Sequence, residues 1–390
     1  MSGFARLLAS RILSAASFLL PARLSGWSRA MANELSEIGD DRAALLFAFG
    51  CLRAAAMLAI GARLRALRAL LFPTSPSPGS LPAMTRILLQ PRLLGLLCAA
   101  IAVAAGIAYM QAAGAPPRYL LVNLAALVLG ATAWLALGRT AASRLSGAGA
   151  ATLALSVPLL LTAGFGIAVE GASRWVSVGP LVLQVSLILL PVMLILYARR
   201  PDRAGTAGMI AAATALALQP DRAMAAVLAV GLVAVAIESR GRLPILAAAA
   251  SILAFGWTLL MPDTLAATAY VDRILYTAFD VGPLVGAAIL AGAAALLVPA
   301  LAGLAKGPGD RAALLAFGGG WSTMLAAAAL GNYPTPLVGY GGSAVLGYLL
   351  SVALLPGGAG ETRRRARASS PVGDSGSDPA ISDLRVARPA

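Results

Sequence analysis

Histidine is absent from this chain of 390 residues, and with it go the commonest general base at neutral pH and the commonest metal ligand. Acid–base chemistry must therefore fall to Asp, Glu, Tyr, Lys or Arg. Cysteine is nearly absent as well. Cys51 and Cys98 stand far apart in apolar stretches, which gives neither a CxxC redox pair nor zinc-ligand spacing, and both read as packing residues. Charge is scarce, at 12% of the chain against 59% hydrophobic residues and a mean hydropathy of +0.84. Such a composition excludes a soluble enzyme folded round one aqueous-phase core and makes the chain a polytopic membrane protein. The N-terminus carries a basic flank at Arg6, but Arg11 and Arg23 interrupt the following apolar runs and no clear small-residue cleavage site appears, so a cleaved signal peptide is not expected.

What the chain has in quantity is long apolar runs. A helix needs about 20 residues to cross the hydrocarbon core. From residue 92 onward such runs recur about ten times, near 93–112, 118–138, 148–169, 181–198, 204–219, 222–238, 243–262, 281–304, 311–331 and 337–356, separated by short loops with Pro, Gly, Arg and Asp. The expected fold is therefore all-α, a bundle of about ten transmembrane helices. Positive loop residues mark the cytoplasmic side. One set of loops holds Arg139 and Arg144, Arg199, Arg200 and Arg203, Arg240 and Arg242, Lys306 and Arg311, and then Arg363, Arg364, Arg365 and Arg367. The opposite set holds only Arg118, Arg174, Arg222 and Arg273, with no cation around Asn332 and Tyr333. Both termini are expected in the cytoplasm.

Outside the bundle domain, 86–356, three further regions are expected. Residues 1–72 hold helix-like stretches rich in Arg and Ala. Residues 41–71 could cross the membrane, but Arg53 would sit within the span at about 2.5–3.5 kcal/mol on insertion scales. A cytoplasmic interfacial pair of helices is favoured over an eleventh span. Residues 73–85, with their Pro and Ser, form a linker by composition. Residues 357–390 read as a disordered basic tail, its arginines held near anionic headgroups. The net charge of +14 is thus assigned to loops and lipid, and no nucleic-acid partner is expected.

Three segments carry a family resemblance. Glu170-Gly171-Ala172-Ser173-Arg174-Trp175-Val176-Ser177-Val178-Gly179-Pro180 runs into Leu181-Val182-Leu183-Gln184-Val185-Ser186. Gln219-Pro220-Asp221-Arg222-Ala223-Met224-Ala225 follows, then Pro336-Leu337-Val338-Gly339-Tyr340-Gly341-Gly342-Ser343-Ala344. In that order they resemble the "GxRRW(I/L)xLGPxxxQPSE", "QPDLGTA" and "PFxSYGGSS" motifs of the SEDS family, the FtsW/RodA-type membrane proteins of cell division and cell shape. Each lies at the edge of an apolar run, on the face expected to point outward.

The resemblance implies a bacterial inner-membrane protein that polymerises the disaccharide units of lipid II, the undecaprenyl-linked peptidoglycan precursor. It also implies a single-span transpeptidase as partner and admits a divalent cation as cofactor, with no residue assigned to a metal. The family's catalytic Asp lies in "HTDFIFAVxAEELGFIGA", and Asp272 in Tyr270-Val271-Asp272-Arg273-Ile274 matches it without a gap. A carboxylate there can take the proton of an attacking sugar hydroxyl, and a pyrophosphate leaving group calls for cations such as Arg174 and Arg273. Against this, Asp272 and Arg273 can be an ordinary exposed charge pair of little energetic weight.

The remaining candidates carry two readings each. Asp221 suits the N-cap of the next helix, while Asp221 and Arg222 can also face an outer cavity. Tyr340, Gly341, Gly342 and Ser343 fit a close helix approach built from small residues, or backbone donors near a pyrophosphate. Trp175 is an interfacial anchor or a sugar platform, and Gln184 and Ser186 complete the substrate-binding set. The chain departs from the family at "QPSExxK", where Gln184-Val185-Ser186-Leu187-Ile188-Leu189-Leu190 puts leucine at both charged positions. The loop before Asp272 is also short. These departures favour a second function, a non-catalytic scaffold or regulator of a cell-wall synthase. A third, a lipid-linked precursor transporter, would need a polar path through spans that offer few charges.

Overall fold

The computed structural model of the protein describes residues 2–20, 24, 26–71, 90–143, 147–179, 181–305 and 310–356. The expected linker at 73–85 and tail at 357–390 lie outside the described residues, as does Pro180 of the first motif. Fifteen helices and three short strands are formed by the described residues. The bundle comprises α4 (Pro91–Ala112), α5 (Pro117–Ser143), α6 (Ala148–Phe165), α7 (Val185–Arg199), α8 (Arg203–Leu218), α9 (Arg222–Ser239), α10 (Arg242–Leu260), α11 (Ile274–Val281), α12 (Pro283–Ala295), α13 (Val298–Leu304), α14 (Arg311–Leu330) and α15 (Gly342–Leu354).

Each of the ten apolar runs contains an apolar helix, because in lipid a helix satisfies its own backbone groups. By length and composition, however, six qualify as spans among the described residues: α4, α5, α6, α9, α10 and α14. The pair α12 and α13, bent by 41°, makes a seventh if taken together, and α7, α8 and α15 are shorter apolar helices. Physical reasons for the differences are local. Pro299, near the start of α13, cannot donate a backbone hydrogen bond and its ring crowds the preceding turn, so the run at 281–304 breaks there. The runs at 181–198 and 337–356 lose their first residues to a strand and to a loop.

That strand belongs to a feature the all-α expectation did not contain. β1 (Ile167–Val169), β2 (Ala172–Val178) and β3 (Leu181–Gln184) form an antiparallel meander in the order β1-β2-β3. Glu170 and Gly171 join β1 to β2 with φ of 48° and 83°, the two positive values that a tight hairpin turn requires. Trp175 sits on the middle strand, paired with Ile167 on one side and Gln184 on the other.

Helices meet closely where side chains are smallest. A Cβ on Gly347 of α15 would lie 1.9 Å from the Leu187 carbonyl oxygen on α7, and one on Gly208 of α8 would lie 2.7 Å from the Leu153 backbone on α6. In a bilayer such approach supplies the dispersion contact that apolar burial cannot. The interior is completed by Phe317, Trp321 and Tyr348, with Trp321 and Tyr348 edge-on at 5.1 Å between ring centres. The Tyr348 hydroxyl donates to the Leu296 carbonyl at 3.0 Å, so a fully buried phenol is satisfied.

The two ends of the bundle separate cleanly. At one end, Arg199 pairs with Asp310 at 3.2 Å and donates to the Leu354 carbonyl at 3.0 Å, Arg92 donates to the Leu355 carbonyl, and Arg311 pairs with Glu238 at 3.5 Å. Two cations thus cap the C-terminal carbonyls of α15, where the helix dipole favours them. The three motif segments gather at the other end. Before the bundle, α1 (Ser2–Leu19), α2 (Trp27–Glu37) and α3 (Asp41–Leu71) replace the expected pair. Arg6 fastens α1 to α3 through Asp41 at 3.1 Å and the Ile38 and Gly39 carbonyls, with Ala9, Ala44 and Ala48 buried between them. α3 packs against α5 and is not among the helices apolar enough to span.

Candidate functional site

All three motifs meet in one buried hydrogen-bond network. Asp221 closes the turn after α8 and caps α9, its Oδ1 accepting from the Met224 amide at 3.3 Å. Its other oxygen, Oδ2, accepts from Gln184 Nε2 at 3.0 Å and from Ser186 Oγ at 2.9 Å. The Gln184 backbone N–H donates to Ser343 Oγ at 3.0 Å, which draws in the third motif. Asp221 is 1% exposed. It lies within this network and does not line the groove described below. Gln219 is also buried and donates to the Leu159 carbonyl at 2.7 Å.

A second knot fixes the Tyr340 to Ser343 segment. Asn123 of α5, fully buried, donates to the Gly339 carbonyl at 2.8 Å and accepts from the Gly341 amide at 3.0 Å. The Tyr340 ring stacks on Tyr119 at 3.9 Å, and the Tyr340 amide donates to the Tyr270 carbonyl at 2.6 Å. The close-approach reading of Gly341 is corrected: a Cβ there would meet nothing within 4 Å. The tight glycine is Gly342, whose Cβ would lie 3.2 Å from Ala126. The amide of Gly341 is spent on Asn123, so that donor already has its acceptor.

Asp272 is 8% exposed, not the open charge pair that its neighbour Arg273 suggested. Its Oδ2 accepts from the Thr268 amide at 2.8 Å, and its backbone bridges to Pro334, which joins the 261–273 loop to the 331–341 loop. Burial pushes its carboxyl above the ordinary range, opposed by the Thr268 hydrogen bond and the Arg273 charge. Arg273, in a left-handed conformation at φ 59°, turns to Asn332 Oδ1 at 2.8 Å.

Arg174 reaches inward from β2 and is 4% exposed. It donates to the Pro220 carbonyl and pairs with Asp263 at 3.7 Å. Asp263 also faces Arg222 at 3.7 Å and accepts from the Tyr333 hydroxyl. Burial, followed by the neighbouring Asp263, pushes the Tyr333 phenol above its ordinary range. Arg222, Arg273, Asp263, Asn332 and Tyr333 line an open groove of about 470 Å³ together with apolar side chains of α9, α10 and α14. Leu187 and Leu190, at the family's two charged positions, are 4% and 0% exposed in the apolar core.

Asn123, Asp263 and Tyr333 were not singled out by the sequence. The one available signal was a polar Asn332-Tyr333 pair in the loop without a cation. A divalent cation does not fit this end of the bundle: Asp221, Asp263 and Asp272 are committed to different partners, and two arginines face Asp263. Among the described residues no group of three carboxylate or cysteine ligands gathers.

Comparison with known proteins agrees with the motifs. No protein-family model and no curated protein matches the sequence. Among solved structures, the crystal structure of Thermus thermophilus rod shape determining protein RodA is similar, with a TM-score of 0.52 and 25% identity over 67% of this chain and 93% of that one. An Asp-to-Ala mutant of the same protein is similar in fold, with a TM-score of 0.51 and 24% identity over 67% and 94%. Motif order, helical architecture and this likeness together support a SEDS-family relationship for this divergent, multi-pass helical membrane protein.

Proposed function

We propose that the protein serves cell-shape maintenance or division in the bacterial inner membrane, both termini in the cytoplasm, by binding undecaprenyl-linked peptidoglycan precursor and joining its disaccharides. The observation that supports this best is Asp272, a buried carboxyl with a raised pKa beside the arginine-lined groove, at the place where the family's catalytic Asp falls. As base, Asp272 would take the proton of the attacking sugar hydroxyl, and Arg273 would stand near the pyrophosphate. A single-span transpeptidase would bind alongside.

The alternative reading is a non-catalytic scaffold of a cell-wall synthase. Leu187 and Leu190 favour it, because apolar packing occupies the two positions where the family places charge. Purified protein incubated with labelled lipid II, with and without a transpeptidase, separates the readings. Glycan strands made by the wild type and lost in Asp272→Asn support the polymerase, since a base contributes about 10²–10⁴-fold. No strands from the wild type, where another family member makes them, leaves the scaffold. A transporter is disfavoured by the apolar interior.

A further inference from the structure

Asp272 lies in a loop whose backbone is sharply bent on both sides of it. Tyr270 and Arg273 have positive φ, at 64° and 59°. Residues other than glycine keep that conformation only where their surroundings over-determine it. The surroundings here are the 331–341 loop. Thr335 donates its amide to the Val271 carbonyl at 2.9 Å, Pro334 bridges to Asp272 itself, and Tyr340 donates its amide to the Tyr270 carbonyl at 2.6 Å. Three consecutive residues ending at Asp272 are thus held by one partner loop.

Asn123 ties that partner loop to the bundle. It sits in α5, a helix long and apolar enough to span a membrane, and its side chain is fully buried. Its Nδ2 donates to the Gly339 carbonyl at 2.8 Å and its Oδ1 accepts from the Gly341 amide at 3.0 Å. The two bonds bracket Tyr340, the residue that grips Tyr270. A side-chain amide meets a carbonyl and an N–H at once, which a carboxylate or a leucine of similar size does not. Polar side chains between membrane helices act as such ties.

We infer that Asn123 is a positioning residue for Asp272, acting from α5 through the 331–341 loop. Its effect on rate rests on the glycan synthesis proposed above, whereas the mechanical coupling does not.

The test has two readouts on the full chain in detergent. The first is hydrogen exchange at the amides of Thr335, Tyr340 and Thr268, the last being the donor to the Asp272 carboxylate. Asn123→Ala strands the Gly339 carbonyl and the Gly341 N–H, and should speed exchange at all three about tenfold. The Gly205 amide, bonded to Asp202 at the other end of the bundle, should stay within about twofold of wild type. Equal acceleration at Gly205 would mean general loosening and overturn the role, as would unchanged exchange at Thr268. Asn123→Asp keeps the acceptor for Gly341, sets an oxygen against the Gly339 carbonyl, and should act in the same direction. It decides by the same criteria if Asn123→Ala does not fold.

The second readout is the pH profile of glycan synthesis from lipid II. A loosened loop admits water to Asp272 and eases the burial that raises its pKa, so the acidic limb should move down toward the ordinary carboxylate range. Loss of folded protein lowers the rate at every pH and cannot move the limb. An unmoved limb would overturn the positioning role. A wild type that makes no strands defeats the polymerase reading alone, and exchange at Thr268 then decides the coupling.

Discussion

Gln184 donates its side-chain amide to the Asp221 carboxylate at 3.0 Å across 37 positions of sequence, and this bond ties the end of the β-meander to the start of α9. Ser186 adds a second bond to the same oxygen, at 2.9 Å. The network is buried, so its donors have no water to turn to if the carboxylate goes. Asp221→Ala should therefore destabilise the protein by about 1–3 kcal/mol for the stranded donors, with a further contribution of about 1 kcal/mol from the lost helix cap. Thermal unfolding of the detergent-purified protein measures it, and a midpoint equal to wild type would refute the role given to this network.

Asp272 sets a pH expectation for both activity and stability. Its folded-state pKa is raised above the ordinary 3.8, chiefly by burial. Between the unfolded and folded values the native state holds the extra proton, so this residue's contribution to stability falls as pH rises through that window. Asp272→Asn should remove that part of the decline. If Asp272 is the base, it works ionised, and the acidic limb of glycan synthesis should lie above the ordinary carboxylate range. A limb at or below pH ~4 would show another group titrating.

Gly347 and Gly341 should respond oppositely to substitution. A methyl at Gly347 would press on the Leu187 carbonyl at 1.9 Å, whereas one at Gly341 meets open space. Gly347→Ala should cost about 1–3 kcal/mol or prevent folding, while Gly341→Ala should stay within about 1 kcal/mol of wild type. Size-exclusion profiles and unfolding midpoints rank the two, and the reverse ranking would displace the α7–α15 contact from the centre of the bundle.

Topology follows from the two ends of α7. Gly171 lies in the hairpin before the helix and Pro201 just after it. Single cysteines at these positions, in a background lacking Cys51 and Cys98, should be labelled from opposite sides of the membrane. Labelling of both from one side would mean that α7 does not cross.

Composition and local pattern were enough to announce a helical membrane bundle, because about ten apolar runs between polar breaks admit few other solutions in lipid. They also marked the three motifs, the Asp221 helix cap and the alternation of cations that the two ends of the bundle repeat. Local pattern could not measure the spans. Strand residues Leu181, Val182 and Leu183 are as apolar as helix residues, and only pairing with β2 distinguishes them. Nor could it foresee that Asn123 would hold Gly339 and Gly341, 216 and 218 positions away, or that Asp263 would stand between Arg174 and Arg222. Each of these residues taken singly is an unremarkable polar group near the edge of a helix. What gives it a role is the partner that folding brings within a few ångströms, and that distance is a property of how the helices pack, not of any stretch of chain.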